Sequence, residues 1–420
     1  MKTIPKKVIL MSIVLSTTQV FSIPIIGLSP YQIILFVTLF VCIMGLFRNQ
    51  RGIPKKNFSF VVIWLTSSIL SFMLSTNISW AKSYLLFALM TMMYLLFIPY
   101  YFDRSDINIL LKSFIRSQYI TIFFSVYFMV SYYVIGVFPK SISVLGLSIN
   151  LDNDFMLRSL AGIRLRLSLP YATPPVLSMV MAMVIIILLL KNDIYSIKWR
   201  IFLILSFSMI LLFTASRTGI VAIIFCIFYL LLRGVKRKRV NTKKFLLATV
   251  GLIVASIVGI YLISKVSYFT KFVNGFKNID LSTDRHFLIP LDGLLIWLDS
   301  IKNFIIGIGF GSSINIVGRH TDLPAHLMNS FVTLIVERGL MGVYIVVTIV
   351  KNSIALLKNT NNYELDNDKF VLGMILLVGL VSSIFYEVLD CYLFVVAISI
   401  SFIFTGRGNN EEYKFDNTYI

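Results

Sequence analysis

Charge is what this chain has least of. Only 14% of its 420 residues are Asp, Glu, Lys or Arg, while 58% are apolar. Soluble domains carry about a quarter charged residues and about half apolar ones, so this composition excludes an ordinary soluble fold. Acidic residues are scarcer still, 19 against 38 basic ones, which leaves a net charge of +19. The basic residues fall between apolar runs and do not form a basic face, so no nucleic-acid partner is expected. Cysteine occurs only as Cys42, Cys226 and Cys391, each inside or at the edge of an apolar run and without metal-ligand spacing. These read as inert packing residues. No GxxxxGK[ST] phosphate loop is present, which argues against ATP-driven chemistry. With no internal repeat, Gly/Ser linker or separate soluble domain, residues 1–420 read as one polytopic membrane domain.

What the chain does have is apolar runs of about 20 residues along its whole length, which read as membrane spans. Backbone groups in lipid must bond within their own segment, so the runs are expected to be helices. The fold class expected is all-α: a polytopic integral membrane protein with about twelve transmembrane helices. The spans fall roughly at 8–26, 31–47, 58–76, 82–101, 112–137, 172–190, 200–214, 218–232, 245–264, 328–350, 369–386 and 389–405. The opening MKTIPKKVILMSIVLS resembles a signal peptide but is followed by no small-residue cleavage site, so it reads as the first span.

An even number of spans puts both termini on one side. About two-thirds of the lysines and arginines fall on that same side, which makes it cytoplasmic. Two long loops, 138–171 and 265–327, then face outward. The second contains HFLIPLDGLLIWLDSIKNFIIG, with Asp292, Asp299, Lys302 and Asn303 near helical spacing. It reads either as an amphipathic helix lying in the membrane interface or as a lid packed on other helices.

The polar residues that stand out collect on the outer side. Gly307, Gly309 and Gly311 open a stretch that goes on to Arg319, His320, His326, Asn329 and Ser330, then enters an apolar run holding Glu337 and Arg338. The glycines are expected to let the loop fold closely over the surface around His326. Arg217 lies at the tip of a short helical hairpin, SRTG, where a guanidinium either snorkels or binds an anion beside a helix N-terminus. Arg164 and Arg166 alternate just before the sixth span, and Arg285 with His286 follows a capping Ser282-Thr283-Asp284. Arg164 and Arg166 read as anion ligands or as solvated loop charges, Arg285 as an anion ligand or as a local partner of Asp284. His326, at a membrane boundary among arginines, suits a general base, with His320 the competing candidate. Glu337 and Arg338 are adjacent on a helix and do not face each other, so each needs another partner; Arg217, Glu387 and Asp390 are the candidates.

The fragments SRTG, DRHFLIPLDGLLIWLDSIKNFIIGIGFG and H-x-x-N-S followed by LIVERGLMG resemble, in that order, the O-antigen polymerase and O-antigen ligase family. The resemblance is strongest from about residue 201 to 350. The family pattern sets His directly before Asn, whereas here Leu327 and Met328 intervene. It also has an arginine and a polar–proline pair before the sixth span; here Arg164 and Pro174 remain and Thr173 replaces the polar residue. The resemblance implies glycan transfer on the external face of a bacterial cytoplasmic membrane. The donor is a polyprenyl-diphosphate-linked oligosaccharide, within membrane lipid, in surface polysaccharide biosynthesis. A chain-length regulator and a flippase of the same pathway are the implied candidate partners. Diphosphate is already a good leaving group, so the reaction needs cations to stabilise it and a base for the acceptor hydroxyl. His326 is then the expected catalytic residue, and Arg217, Arg164, Arg166, Arg285, Arg319 and Asn329 the substrate-binding set. No cofactor and no metal are expected, since the first outer loop, near Gly27–Pro30, offers no acid to hold a divalent ion. A polymerase, a ligase and a lipid-linked oligosaccharide flippase remain the readings to separate.

Overall fold

The computed structural model describes residues 3–20, 29–48, 55–130, 141–144, 147–150, 167–168, 170–171, 173–214, 216–236, 285–314, 327–358, 365–389 and 391–405. The helices in chain order are α1 (Thr3–Val14), α2 (Pro30–Arg48), α3 (Lys55–Met73), α4 (Ile78–Tyr101), α5 (Ile107–Ser117), α6 (Tyr119–Val130) and α7 (Pro174–Leu190). They continue with α8 (Ile197–Phe213), α9 (Arg217–Lys236), α10 (Arg285–Leu298), α11 (Ile301–Ile306), α12 (Ser330–Lys358), α13 (Leu365–Phe385) and α14 (Tyr392–Thr405). Helix is found in every predicted span except 245–264, which lies outside the described residues. Among those residues five stretches are long and apolar enough to cross a bilayer: Pro30–Phe47, Ile78–Tyr101, Arg104–Tyr127, Ser330–Lys358 and Asn367–Phe385. Shorter apolar helices lie at Asn57–Met73, Pro174–Leu190, Leu288–Leu298 and Tyr392–Thr405. Large apolar side chains such as Phe40, Phe47, Phe123 and Leu205 stand exposed on the outside of the bundle. Together with the helix lengths, this describes a multi-pass membrane protein whose surface is solvated by lipid.

Two features depart from the sequence reading. The expected span 112–137 breaks into α5 and α6 at Gln118. Its buried amide donates to the Ser117 hydroxyl, and its carbonyl accepts from Thr121 and from the Tyr171 phenol. A side chain with that many local partners competes with a continuous helix. The all-α expectation also needs one exception, a two-stranded antiparallel hairpin in the first long loop. It pairs Ser141–Val144 with Leu147–Asn150, in register Ser141↔Asn150 and Val144↔Leu147.

The core is built around α7 and α14. Residues Pro174–Leu188 are buried on every side of α7, and Leu393–Phe404 likewise on α14. A helix apolar all round belongs in the centre of a bundle. Pro174 and Pro175 open α7 where their missing N–H groups cost nothing. Around this core α9 and α13 run antiparallel, because Cys226 lies against Met374 while Arg233 lies over the Phe370 ring. Helices α12 and α13 are also antiparallel: Asn329 bonds Ile384 and Ser353 bonds Gly373. Both arrangements bring the starts of α7, α9 and α12 and the end of α13 to one end of the bundle. The opposite end carries a belt of ion pairs and polar contacts, Lys6 with Asp106, Asn108 with Asp193, and Lys191 with Asp193 and Asp368. Burial works against the Asp193 carboxylate, yet its own backbone N–H, Lys191 and Asn108 hold it below the usual range.

Helix α12 is broken at Gly339, which has φ 59°. The break lets α11 and the chain after it approach backbone to backbone. A Cβ on Gly339 would lie 2.4 Å from the Ile305 carbonyl oxygen, and one on Gly307, itself at φ 79°, 2.5 Å from the Glu337 carbonyl. Only glycine permits both the positive φ and the contact.

Candidate functional site

Arg217 is the first residue of α9, and a short serine-rich seam fixes its hairpin. The Ser178 hydroxyl on α7 accepts from the Gly219 amide at 3.2 Å, lies 3.1 Å from the Ser216 hydroxyl, and donates back to the Pro175 carbonyl at 2.8 Å. Gly219 is required for this: a Cβ there would sit 2.3 Å from the Ser178 carbonyl oxygen. The chain that follows Arg164 and Arg166 docks on the same tip, because the Leu167 amide donates to the Phe213 carbonyl at 3.1 Å. The start of α9 therefore aims backbone donors and the positive end of a helix dipole outward beside a guanidinium, an arrangement that suits an anion.

The second half of the site is the turn into α12. Asn329 caps the helix: its side-chain oxygen accepts from the Phe331 and Val332 amides at 3.0 and 3.1 Å, and its amide donates to the Ile384 carbonyl at 2.9 Å. The Ser330 hydroxyl donates to the Tyr386 carbonyl and accepts from the Val388 and Leu389 amides. Thr333 donates to the Glu387 carboxylate at 2.9 Å. Met328, just before the cap, is held at φ 55°, the left-handed region that a side chain disfavours. Burial pushes the Glu387 carboxyl above its usual range, against the pull of the Thr333 hydroxyl and the Met328 and Leu327 amides.

The sequence-derived residues fare differently. The structure puts Arg217 and Asn329 at the same end of the bundle. Arg285 opens α10, whose Gly293 packs against Leu327 so closely that a Cβ would come within 2.5 Å of that side chain. Its own side chain is outside the description. Arg164, Arg166, Arg319, His320 and His326 also lie outside the described residues. In α10 and α11 both readings of the second loop have support. Ile289 joins Ile308, Leu327, Val332 and Val336 in a small apolar cluster, while Leu291, Leu295, Leu298 and Ile301 stand exposed.

Two of the expected features show contacts that the sequence did not name. The partners shown for Glu337 are the Gly311 amide at 2.8 Å and the Ser313 hydroxyl at 3.2 Å. Arg338 bonds Ser67 and lies between the Trp64 and Phe310 rings, 4.7 and 4.9 Å from their centroids. Two aromatic faces and a hydroxyl thus hold the buried guanidinium. The glycine run, in turn, folds onto the α12 break and onto Leu74–Ser75 after α3. That contact is about 12 Å along α12 from Asn329, at 1.5 Å per residue. Ser178 and Thr333 were missed, and no signal in the sequence marked either. Ser330 had been noted beside Asn329, and Glu387, an acid between two apolar runs in an acid-poor chain, only as a partner for other charges.

No curated protein matches the chain. Residues 201–347 match the family model described as O-antigen ligase, a segment that runs from α8 through Arg217 and Asn329 to the break in α12 and beyond. The matched segment, about a third of the chain, together with the apolar helices around it, supports reading the protein as a membrane enzyme of the O-antigen ligase/polymerase type, in surface-glycan biosynthesis.

Proposed function

We propose that the protein polymerises lipid-linked oligosaccharide repeat units from a polyprenyl-diphosphate carrier on the outer face of a bacterial cytoplasmic membrane. The observation that carries the reading is Arg217, locked through Gly219 and Ser178 onto α7 at the bundle end that also presents Asn329. The opposite end holds Lys6, Lys191 and Arg233, which fits a cytoplasmic side, cytoplasmic termini and about twelve spans. Loops 138–171 and 265–327 are then external, and α10 lies in the interface with its exposed leucines toward lipid.

In the reaction an acceptor hydroxyl oxygen forms a bond to the donor's anomeric carbon. The bond from that carbon to the diphosphate oxygen breaks, and the electron pair leaves on the diphosphate. Arg217, with Arg164, Arg166, Arg285 and Arg319, stabilises that charge by two-pronged hydrogen bonds. His326 takes the acceptor proton, and Asn329 borders the acceptor. Because arginines meet the leaving charge, no divalent ion is invoked; purified enzyme is expected to work in excess chelator, and restoration by magnesium or manganese would refute this.

A second reading, ligation of the glycan to a different acceptor, is favoured by the description of the matched family. Deletion of the protein followed by gel analysis of surface glycan separates the two. Single repeat units are expected; polymer stranded on its carrier would instead indicate a ligase, and precursor held inside the cell a flippase. At the site, His326→Ala should abolish transfer yet bind donor, with His320→Ala milder. A dead His320→Ala beside an active His326→Ala would move the base six residues upstream.

A further inference from the structure

We infer that the end of the bundle opposite Arg217 holds one anionic phospholipid, with its phosphate between Lys112 and Arg116 and an acyl chain along α6. This site is separate from glycan transfer and does not depend on it.

Lys112 and Arg116 are four residues apart on α5, so they stand one turn apart on the same face. Two like charges at that spacing repel and weaken the helix that carries them. Both lie inside Arg104–Tyr127, a stretch long and apolar enough to cross a bilayer, where a charge needs a partner or water. The ion pairs shown among the described residues at this end are Lys6 with Asp106 and Lys191 with Asp193 and Asp368; they include neither cation. Asn108, one turn earlier on that face, is bonded to Asp193 at 2.9 Å.

What does meet this face is Tyr195, from the loop 191–196 between α7 and α8. The Lys112 Nζ lies 5.5 Å from the centroid of its ring. The Tyr119 hydroxyl donates to the Tyr195 hydroxyl at 2.9 Å, which leaves the Tyr195 hydrogen for a further acceptor. Arg116 stands between Lys112 and Tyr119, both of which touch Tyr195, and it is exposed. Two cations and a hydroxyl thus collect where a phosphate can reach all three, and the planar guanidinium suits its oxygens.

The rest of the exposed stripe identifies the occupant. Past Tyr119 it turns apolar, with Phe123 63% and Val126 55% exposed. Cations on one helix followed by uncovered hydrocarbon on the next match a molecule with an anionic head and an acyl tail. A free phosphate would use only the first half. Trp199, exposed and stacked on Phe202 at 5.0 Å, follows the Tyr195 loop, as the aromatics that mark a membrane interface do. Basic clusters between helices at that level are where lipid head groups bind. A zwitterionic head carries its own cation, which Lys112 and Arg116 repel.

The test titrates the purified full-length protein in non-ionic detergent with phosphatidylglycerol, and separately with phosphatidylcholine of the same chains, and counts bound lipids by native mass spectrometry. Wild type is compared with Lys112→Gln, Arg116→Gln, the double variant and Lys302→Gln, an exposed lysine on α11. One phosphatidylglycerol should bind more tightly than those that follow, and phosphatidylcholine should show no such first site. Each cation should contribute about fivefold in affinity, so each single variant weakens the first site by that much and the double variant by about twenty-five-fold. Lys302→Gln should leave it unchanged. Neither side chain belongs to the buried core, so the variants should fold; a thermal midpoint checks each, and the single variants decide if the double one fails.

A first site that the double variant keeps, or equal binding of the two phospholipids, overturns the inference. Displacement by glycerol phosphate as readily as by phosphatidylglycerol would make this a plain anion site. Displacement by farnesyl diphosphate at a lower concentration than by phosphatidylglycerol would give it to a polyprenyl carrier, and either result refutes a phospholipid. Because binding is read and transfer is not, failure here leaves the proposed function standing, and failure of that function leaves this site.

Discussion

Adding one methyl group at Gly219 should silence the enzyme without touching Arg217. The Cβ of Gly219→Ala would fall 2.3 Å from the Ser178 carbonyl oxygen, 2.6 Å from its carbon and 2.9 Å from Leu211 Cδ1. Ordinary contact begins near 3.4 Å, and the two nearest atoms are backbone, so no rotamer change relieves the overlap. The first turn of α9 must retreat by about 1 Å, as overpacked sites do. That opens the 3.2 Å bond from the Gly219 amide to the Ser178 hydroxyl beyond useful range. Overpacking costs about 1–3 kcal/mol and the lost bond about 1 kcal/mol, which a multi-pass bundle of this size survives. The larger effect is catalytic, because a shift of this size at a substrate-holding group costs about a hundredfold in rate. The assay is transfer per folded molecule, by gel analysis of products from purified protein, with thermal unfolding in parallel. Gly373→Ala serves as control, since the nearest atoms its Cβ would meet belong to the Leu357 and Leu356 side chains and not to backbone, away from the site. If Gly219→Ala inserts, folds and transfers at the wild-type rate per folded molecule, the α7–α9 seam does not set the position of Arg217. In that event the anion site must be sought elsewhere.

Three further outcomes are expected. Arg217→Lys keeps the charge and loses the planar fork, so it should insert normally and transfer little glycan; near wild-type transfer by both Arg217→Lys and Arg217→Ala would leave only snorkelling. Gly339→Ala forces a side chain to φ 59° and against the Ile305 carbonyl, so its thermal midpoint and yield should fall by the equivalent of about 2 kcal/mol or more; an unchanged midpoint would mean that α12 bends there at no cost. Single cysteines at Val240 and the C-terminus should be protected from an impermeant thiol reagent in intact cells, and one near Asn278 labelled; labelling at Val240 would reverse the orientation and every external assignment with it.

The helices were legible because a bilayer imposes one length and one composition on each span, and the predicted boundaries lie within a few residues of α2, α7 and α8. The break at Gln118 was not legible, because what ends α5 is a partner, Tyr171, distant in sequence. The same limit governs Glu337 and Arg338. Their polarity showed in the sequence, but Gly311, Ser313, Ser67 and Trp64 become their neighbours only through the fold. The glycine run was recognised as a close approach, but its partners in α12 and after α3 were not, since a glycine's tolerance does not say what approaches it. The proposal of Arg217 as an anion ligand came from the SRTG turn alone, whereas the bond from Gly219 to Ser178 beside it was not legible, one serine in an apolar helix being unremarkable. Glu387 was named in the sequence as a partner for other charges. Its bond to Thr333 needed the antiparallel pairing of α12 and α13 to appear.

The contact between α3 and the α12 break has a consequence for how the protein is made. The Ser71 hydroxyl bonds the Glu337 carbonyl across 266 residues, and Ser67 meets Arg338 across 271. At synthesis rates of roughly 5–20 residues per second, α3 waits roughly 10–50 s for these partners to leave the ribosome. Throughout that interval its serines face the bilayer, or whatever the insertion machinery offers, with only their own helix to bond. The N-terminal helices therefore cannot settle into final packing when they are inserted. Closure of the bundle falls to the segment from Gly307 to Gly339, so a chain released before that segment is complete leaves an open polar seam that quality control can recognise.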